Sequence, residues 1–587
     1  MAALIIGFGF YVGAPVAFIF INSFNALDVG RGFELSMENW QLAFTTPGVF
    51  EALRNTFLVF GLVTVISFPI AVMIAWVLAR TNVRFSYSIE FMFWVSFMLP
   101  GIAVVVGWTF LLDPSFGLLN KAIELLPFIS ESTINIYSVP GIIWVHLMSN
   151  AISGKVMLLT PAFRNMNVSL EEAARVSGAS SMRTMFRVTL PVMVPVMVVV
   201  FMLNVVRIFQ SFETELILGK PIGFYTYSTK IFAFLRFFDP PEYGAAAALA
   251  SITLIIIAVV IPIQHWLNTR KHYTTVSGQF KPGVQDLGKL RPWVLGILVF
   301  LLLFLTVVPI LTLLGGSFML RVGFFNLNSI FTLRHWSAVL SDSFFIQALK
   351  TTLILAMSTA IITPVVFSLV AYVLVRTRWR GRQTLDSIFW VSSAVPGMLS
   401  GLGLLWLFLG TPLLLPLYGT IWALLLVVIL QGKLISTQLI KGIFLQMGGD
   451  LEEAARVSGA GWWHTYFRIW LPLLMPTLIL IGTLNFVFAA QATASIILLA
   501  SRGTKTLSIM ALEMMTHQDG QLLEQAGIVS LFIVGMTVVV ALVARRLGLP
   551  LGVSPEMRAN EKDTAMKRAA EKNPDLGPQA GGVPTRS

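Results

Sequence analysis

Few side chains in this sequence are placed to make or break bonds, and those few stand in short polar stretches between long apolar ones. Glu513 and His517 are four residues apart, which puts both on one helix face, where they could hold a metal or form a solvated face. Tyr225 and Tyr227 carry phenol oxygens that suit a ferric ion, although tyrosines at a bilayer boundary are also ordinary belt residues. Arg207, Glu213 and Glu215 set charge beside an apolar run, where charge is costly unless it faces a cavity, the interface or a partner. Snorkelling or an Arg207 pair with Glu213 or Glu215 is one reading of them; a translocation pathway for an anionic or chelated cargo is the other. The H-E-x-x-H zinc motif, the nucleophile elbow and clustered Cys and His are absent from the sequence, which argues against an enzyme. With no cysteine there is no thiolate metal site, thiol nucleophile or disulfide framework.

The most distinctive chemistry is written twice. LEEAARVSGASSMRTMFRVTLPVMVP (170–195) and LEEAARVSGAGWWHTYFRIWLPLLMP (451–476) agree at 16 of 26 positions, far more than the apolar runs beside them. Ser169 with Glu172, and Asp450 with Glu453, have the spacing of a capping box that opens a short helix. The Ala173–Ala174 and Ala454–Ala455 pairs favour helix and leave room for another surface to approach. Gly178 and Gly459 suit a helix stop, since glycine tolerates positive φ. One such stretch could be a well-capped surface loop. Two near-identical copies are better explained by a shared partner that is itself two-fold.

The elements that carry these stretches follow from composition. The 587-residue chain is 56% hydrophobic and 12% charged, with a mean hydropathy of +0.82; a soluble chain would be about a quarter charged. Apolar runs long enough to cross a bilayer as helices fall near 3–22, 54–79, 91–112, 138–160, 188–206, 246–267, 293–318, 348–375, 387–410, 417–436, 469–488 and 525–545. The fold expected is an all-α polytopic membrane protein of twelve transmembrane helices. The first run, with no Lys or Arg before Arg31, reads as an uncleaved span rather than a secretory signal. The net charge of +12 sits mostly between spans on the side shared by both termini, which marks that side as cytoplasmic rather than indicating nucleic-acid binding.

The halves echo each other beyond the quoted phrase. EALRNTFLVF (51–60) answers QALKTTLILA (347–356), FWVSFMLPG (93–101) answers FWVSSAVPG (389–397), and GIIWVHL (141–147) answers GTIWALL (419–425). Order is kept and six spans separate the copies, so the repeat is parallel. Residues 1–268 form one six-helix half, 269–292 a cytoplasmic linker, 293–550 the second half and 551–587 a polar tail expected to be disordered. Pro-Gly pairs at 100–101 and 396–397 are placed to kink or break the third span of each half.

E-A-A, three residues, G, nine residues, an aliphatic residue, one more and L-P: both copies, Glu172 to Pro191 and Glu453 to Pro472, fit this spacing. The pattern resembles the EAA loop of bacterial ABC importer permeases. SFETELILGKPIGFYTYSTKI (211–231) is similar to a segment of the fused permeases of the ferric-iron and thiamine type. The resemblance implies a type I ABC importer permease fold in the bacterial inner membrane. It implies coupling helices whose Glu172, Ala173, Ala174, Gly178, Glu453, Ala454, Ala455 and Gly459 contact two copies of an ATP-hydrolysing subunit. It further implies an extracytoplasmic substrate-binding protein, alternating access and ferric iron as first-choice cargo, with thiamine, phosphonate and polyamine as alternatives. The chain has no G-x-x-x-x-G-K-[ST] loop, so ATP and magnesium are expected on the partner and no cofactor on this chain. An ion-gradient-driven carrier with parallel repeats is the alternative of another class, disfavoured by the doubled loop.

Overall fold

The computed structural model describes residues 2–27, 32–126, 134–164, 166, 169–207, 210–270, 285–393, 395, 397–447, 450–516 and 522–546. Among them the regular structure is helical, with three isolated β-bridges and no strand. The first half runs α1 (Ala2–Asn22), α2 (Glu38–Thr45), α3 (Val49–Arg80), α4 (Ser86–Met98), α5 (Gly101–Leu112), α6 (Val139–Arg164), α7 (Ser169–Val176), α8 (Met182–Val205), α9 (Glu213–Gly219), α10 (Tyr227–Arg236) and α11 (Tyr243–Arg270). The second half repeats the plan as α12 (Gly288–Ser317), α13 (Arg334–Ser341), α14 (Ser343–Arg376), α15 (Arg382–Ser393), α16 (Gly397–Gly410), α17 (Ile421–Gln431), α18 (Lys433–Gln446), α19 (Asp450–Val457), α20 (Trp462–Ala490), α21 (Leu507–Thr516) and α22 (Leu523–Arg546).

Each of the twelve stretches expected to span falls on a helix. Seven of the described helices are long and apolar enough to cross a bilayer, and nine if each of two bent pairs counts as one span. The shortfall from twelve lies at α1, α11 and α16, whose apolar described parts are only 9–22, 243–256 and 397–410. The third span of the first half does break at Pro100: α4 and α5 meet at 92°. Proline at 100 has no N–H to give to the carbonyl one turn back, so the ladder cannot continue. In the second half α15 ends at Ser393 and α16 restarts at Gly397, while Pro396 lies outside the described residues.

What joins the halves is an exchange of first helices. Helix α1 packs on α16 of the other half, and the last turns of α12 pack on α5 of the first. Both crossings use the same chemistry at repeat-equivalent positions. A methyl group on Gly403 would lie 2.5 Å from the Pro15 carbonyl oxygen, and one on Gly107 would lie 2.6 Å from the Pro309 carbonyl oxygen. Thr312 donates to the Gly107 carbonyl at 2.9 Å, and the Tyr11 hydroxyl donates to the Leu426 carbonyl. Lipid is as apolar as a leucine side chain, so helices associate through close packing and hydrogen bonds. A glycine facing a proline carbonyl provides both close approach and shape.

Leucine at Gly107 or Gly403 is expected to destabilise the fold by about 1–3 kcal/mol through overpacking, read as a lower midpoint of thermal unfolding in detergent. Gly61→Leu, at a position with no atom within 4 Å, serves as the control and should leave the midpoint near its starting value.

Candidate functional site

The repeated phrase folds into α7 and α19, which start at Ser169 and Asp450, where the spacing places their caps. Both stop on a glycine in the left-handed region, Gly178 at φ +82° and Gly459 at φ +76°. The N–H of Ala179 returns to the Ala174 carbonyl at 3.0 Å, and that of Ala460 to the Ala455 carbonyl at 2.9 Å. This six-to-one bond is the Schellman closure of a helix end. No atom lies within 4 Å of a methyl group built on either glycine, so glycine is required here by its backbone angle, not by space.

The exposed face is the same in both helices. Glu172, Ala173 and Gly178 are exposed, as are Glu453, Ala454 and Gly459, and Val176 and Val457 are 90% and 89% exposed. The second alanine of each pair points the other way: Ala174 is half-buried and Ala455 is buried. Each helix therefore offers a carboxylate, a methyl and a valine to solvent, and keeps its other alanine for lying close to the body.

The glutamate before each exposed one was not singled out by sequence reasoning, and it is the better anchored. Glu171 is fully buried; it accepts from Thr189 Oγ1 at 2.7 Å and lies 3.9 Å from Arg80 Nε. Glu452 accepts from the Tyr372 hydroxyl at 2.9 Å and from Arg456 at 2.7 Å. Arg80 and Arg376 close the second span of each half and donate at 2.7 Å to the carbonyls of Met166 and Met447. A period-3.6 reading would have found these inward glutamates, because Glu171 shares a helix face with Ala174, and Glu452 with Ala455.

Other charges repeat as well. Arg164 donates to buried Glu90 at 2.6 Å, and Lys441 pairs with Asp386, so each half ties the start of its third span to the end of its fourth. Lys155 and Lys433 are buried inside the bundle. Lys155 donates to Ser67 Oγ at 2.9 Å and the Ala151 carbonyl at 2.8 Å; Lys433 donates to the Leu430 carbonyl at 3.1 Å and the Ser392 carbonyl at 3.3 Å. Both satisfy carbonyls at bends of the fourth spans, an interior role that a reading of basic residues as loop markers overlooks.

Toward the opposite ends of the spans the halves diverge. Glu215, on α9, is buried and accepts from Ser211 Oγ at 2.6 Å, with His146 Nε2 at 2.9 Å from its carboxylate. Glu213, on the same helix, is half-buried. The repeat-equivalent positions of His146, Ser211 and Glu215 are Leu424, Ala492 and Ile496, so this polar trio exists in the first half alone. His146 was legible as the histidine that replaces leucine between GIIWVHL and GTIWALL. The Arg207 side chain and His517 lie outside the described residues; Glu513 is paired instead with Lys505 at 2.6 Å. Among the described residues no three His, Asp or Glu side chains gather as a metal site.

Two stretches, 67–273 and 365–548, match the family described as the binding-protein-dependent transport system inner membrane component. The chain belongs to this family. A putative ferric transport system permease protein of Haemophilus influenzae is 24% identical over 507 residues, covering 85% of this chain and 77% of its own. A ferric transport system permease protein of Actinobacillus pleuropneumoniae is 26% identical over 375 residues, covering 62% of this chain and 52% of its own. A solved bacterial ABC transporter that imports the acidic polysaccharide alginate aligns with 44% of this chain and 88% of its own, at 18% identity and a TM-score of 0.36. This is thus a fused, two-domain ABC permease, a non-catalytic, multi-pass component of the inner membrane.

Valine at Gly178 must adopt a left-handed backbone at a cost of about 1–2 kcal/mol, so the end of α7 should open and trypsin should cut faster beside Arg175 and Arg183. Asn, which tolerates that region, should cut near the parent rate. Glu215→Leu strips His146 and Ser211 of their acceptor and should cost about 1–3 kcal/mol in thermal unfolding, while Ile496→Leu at the matching apolar position should be close to neutral.

Proposed function

We propose that this chain forms the translocation pathway of an ATP-driven importer of ferric iron. Two copies of a cytoplasmic ATPase dock on α7 and α19 through the exposed Glu172, Ala173, Gly178, Glu453, Ala454 and Gly459, while Ala174 and Ala455 let each helix lie close to the body behind them. ATP and magnesium reside on those subunits, and an extracytoplasmic binding protein delivers the cargo to the opposite face. Both termini are cytoplasmic. Closure of the ATPase dimer rocks the two halves between inward-open and outward-open states, and Arg207, Glu213 and Glu215 border the route. The observation that carries this reading is the pair of matched helices with the same residues exposed, and six of the stretches expected to span lie between them. The names of the relatives in Haemophilus influenzae and Actinobacillus pleuropneumoniae support ferric iron as cargo.

The chain purified from its native membrane should bring down an ATPase. In proteoliposomes the complex should import ferric iron only with ATP and the binding protein present. Glu172→Lys combined with Glu453→Lys should release the ATPase. Iron uptake by the isolated polypeptide would overturn the assignment, and so would ATPase capture unaffected by the double substitution.

A further inference from the structure

The anchoring glutamates do something the docking face cannot. We propose that Arg80 with Glu171, and Tyr372 with Glu452, are positioning residues that lash each docking helix to the cytoplasmic end of its own half's second span. Movement of the helix is thereby delivered to that span. The proposal rests on the reading of α7 and α19 as docking helices.

Four segments meet at the first of these joints. Arg80 is the last residue of the 32-residue α3 and is 1% exposed. Its Nη2 holds the Met166 carbonyl just before α7, its Nε faces Glu171 within α7, and Glu171 in turn takes the hydroxyl of Thr189 on α8. The Arg80 carbonyl accepts from the Gln285 N–H at 2.8 Å, which brings in the start of the second half. Push on the exposed face of α7, and these groups carry the load from its buried face to Arg80.

The joint is also incompletely made. Among the described residues Arg80 Nε and the second carboxylate oxygen of Glu171 have no hydrogen-bond partner, and 3.9 Å is too long for a direct bond between the charges. A buried ion pair held short of contact loses much of the attraction that offsets its desolvation. A shift of about 1 Å between α3 and α7 would bring the two groups to the 2.7–2.9 Å of a charge-assisted bond. A small relative movement of the two helices would thus register directly in this pair.

The second joint is built differently. Arg376 spends its Nη2 on the Phe444 carbonyl at 3.1 Å and the Met447 carbonyl at 2.7 Å, and its guanidinium lies 5.0 Å from the Trp470 ring centre. Trp470 stands where Thr189 stands in the first half and offers Glu452 no hydroxyl. Glu452 instead takes a neutral phenol and an exposed arginine of its own helix, beside a cleft lined by Tyr372, Arg456, Trp462 and Trp470. The first joint is the fully buried one.

The test uses the complex of this chain with its co-purified ATPase, in proteoliposomes supplied with ferric iron and the binding protein. Arg80→Gln and Glu171→Gln should raise the ATP hydrolysed per iron imported about tenfold, within the usual range of coupling between sites. Arg80→Lys should restore part of the coupling, and Tyr372→Phe should change the ratio far less. Thr189→Val, the mildest lesion, covers the case in which the Arg80 variants fail to assemble, and should raise the ratio measurably. Because the chain has no cysteine, nitroxides at Arg84→Cys and Ser177→Cys can report whether the two elements move together. Their separation should stay narrow on ATP binding in the parent and broaden in Glu171→Gln. Parent ratios and narrow distances in the Arg80, Glu171 and Thr189 variants would overturn the proposal and leave docking intact. A parent complex with no ATPase bound would instead remove the functional reading beneath it.

Discussion

The architecture depends on two backbone crossings, Gly107 against Pro309 and Gly403 against Pro15. Inside a bilayer no hydrophobic force drives one apolar helix onto another, so the halves are held where their backbones can come close and hydrogen-bond. By exchanging first helices, each half supplies part of the other's packing, and neither can tilt without its partner's first span following. Tyr11 on Leu426, Thr312 on Gly107 and Gln491 on the Met98 carbonyl lie on the same seam. The last of these caps the end of α4, where the chain turns sharply at Pro100 and would otherwise leave a carbonyl unsatisfied.

On this interlocked frame, the symmetric and asymmetric features divide by position. The ion pairs of the third and fourth spans, the arginines that hold the Met166 and Met447 carbonyls and the glycine-stopped helices occur in both halves. The proposed two-fold partner would require such matching, because two copies of one surface must find two copies of another. The trio of His146, Ser211 and Glu215, by contrast, is opposed by leucine, alanine and isoleucine. On the proposed route a small cargo gains nothing from symmetry, which is consistent with divergence there.

Much of the candidate site is legible in the sequence. The helix starts at Ser169 and Asp450, the stops at Gly178 and Gly459, and the exposed Glu172 and Glu453 all follow from local rules of capping, propensity and positive φ. Glu171 and Glu452 escaped that reading because a glutamate at a helix start is normally a solvated, dipole-favoured residue. Burial against Arg80 depends on a residue 91 positions away. Lys155 and Lys433 escaped for a related reason: a lysine near the end of an apolar run reads as a boundary, and only a bent helix exposes interior carbonyls that it can satisfy.

By itself, the sequence determined the helical class, the duplication and the paired, glycine-stopped helices. Each of these rests on composition, on periodicity or on contacts within a few residues. The tertiary structure alone decided that the first helices cross between halves, which glutamate of each pair faces inward and which charges are joined. Those outcomes turn on distances between segments tens to hundreds of residues apart. In an apolar solvent many helix pairings have similar energy, and the local sequence does not rank them; the fit of a glycine to a carbonyl, or of a guanidinium to a carboxylate, does.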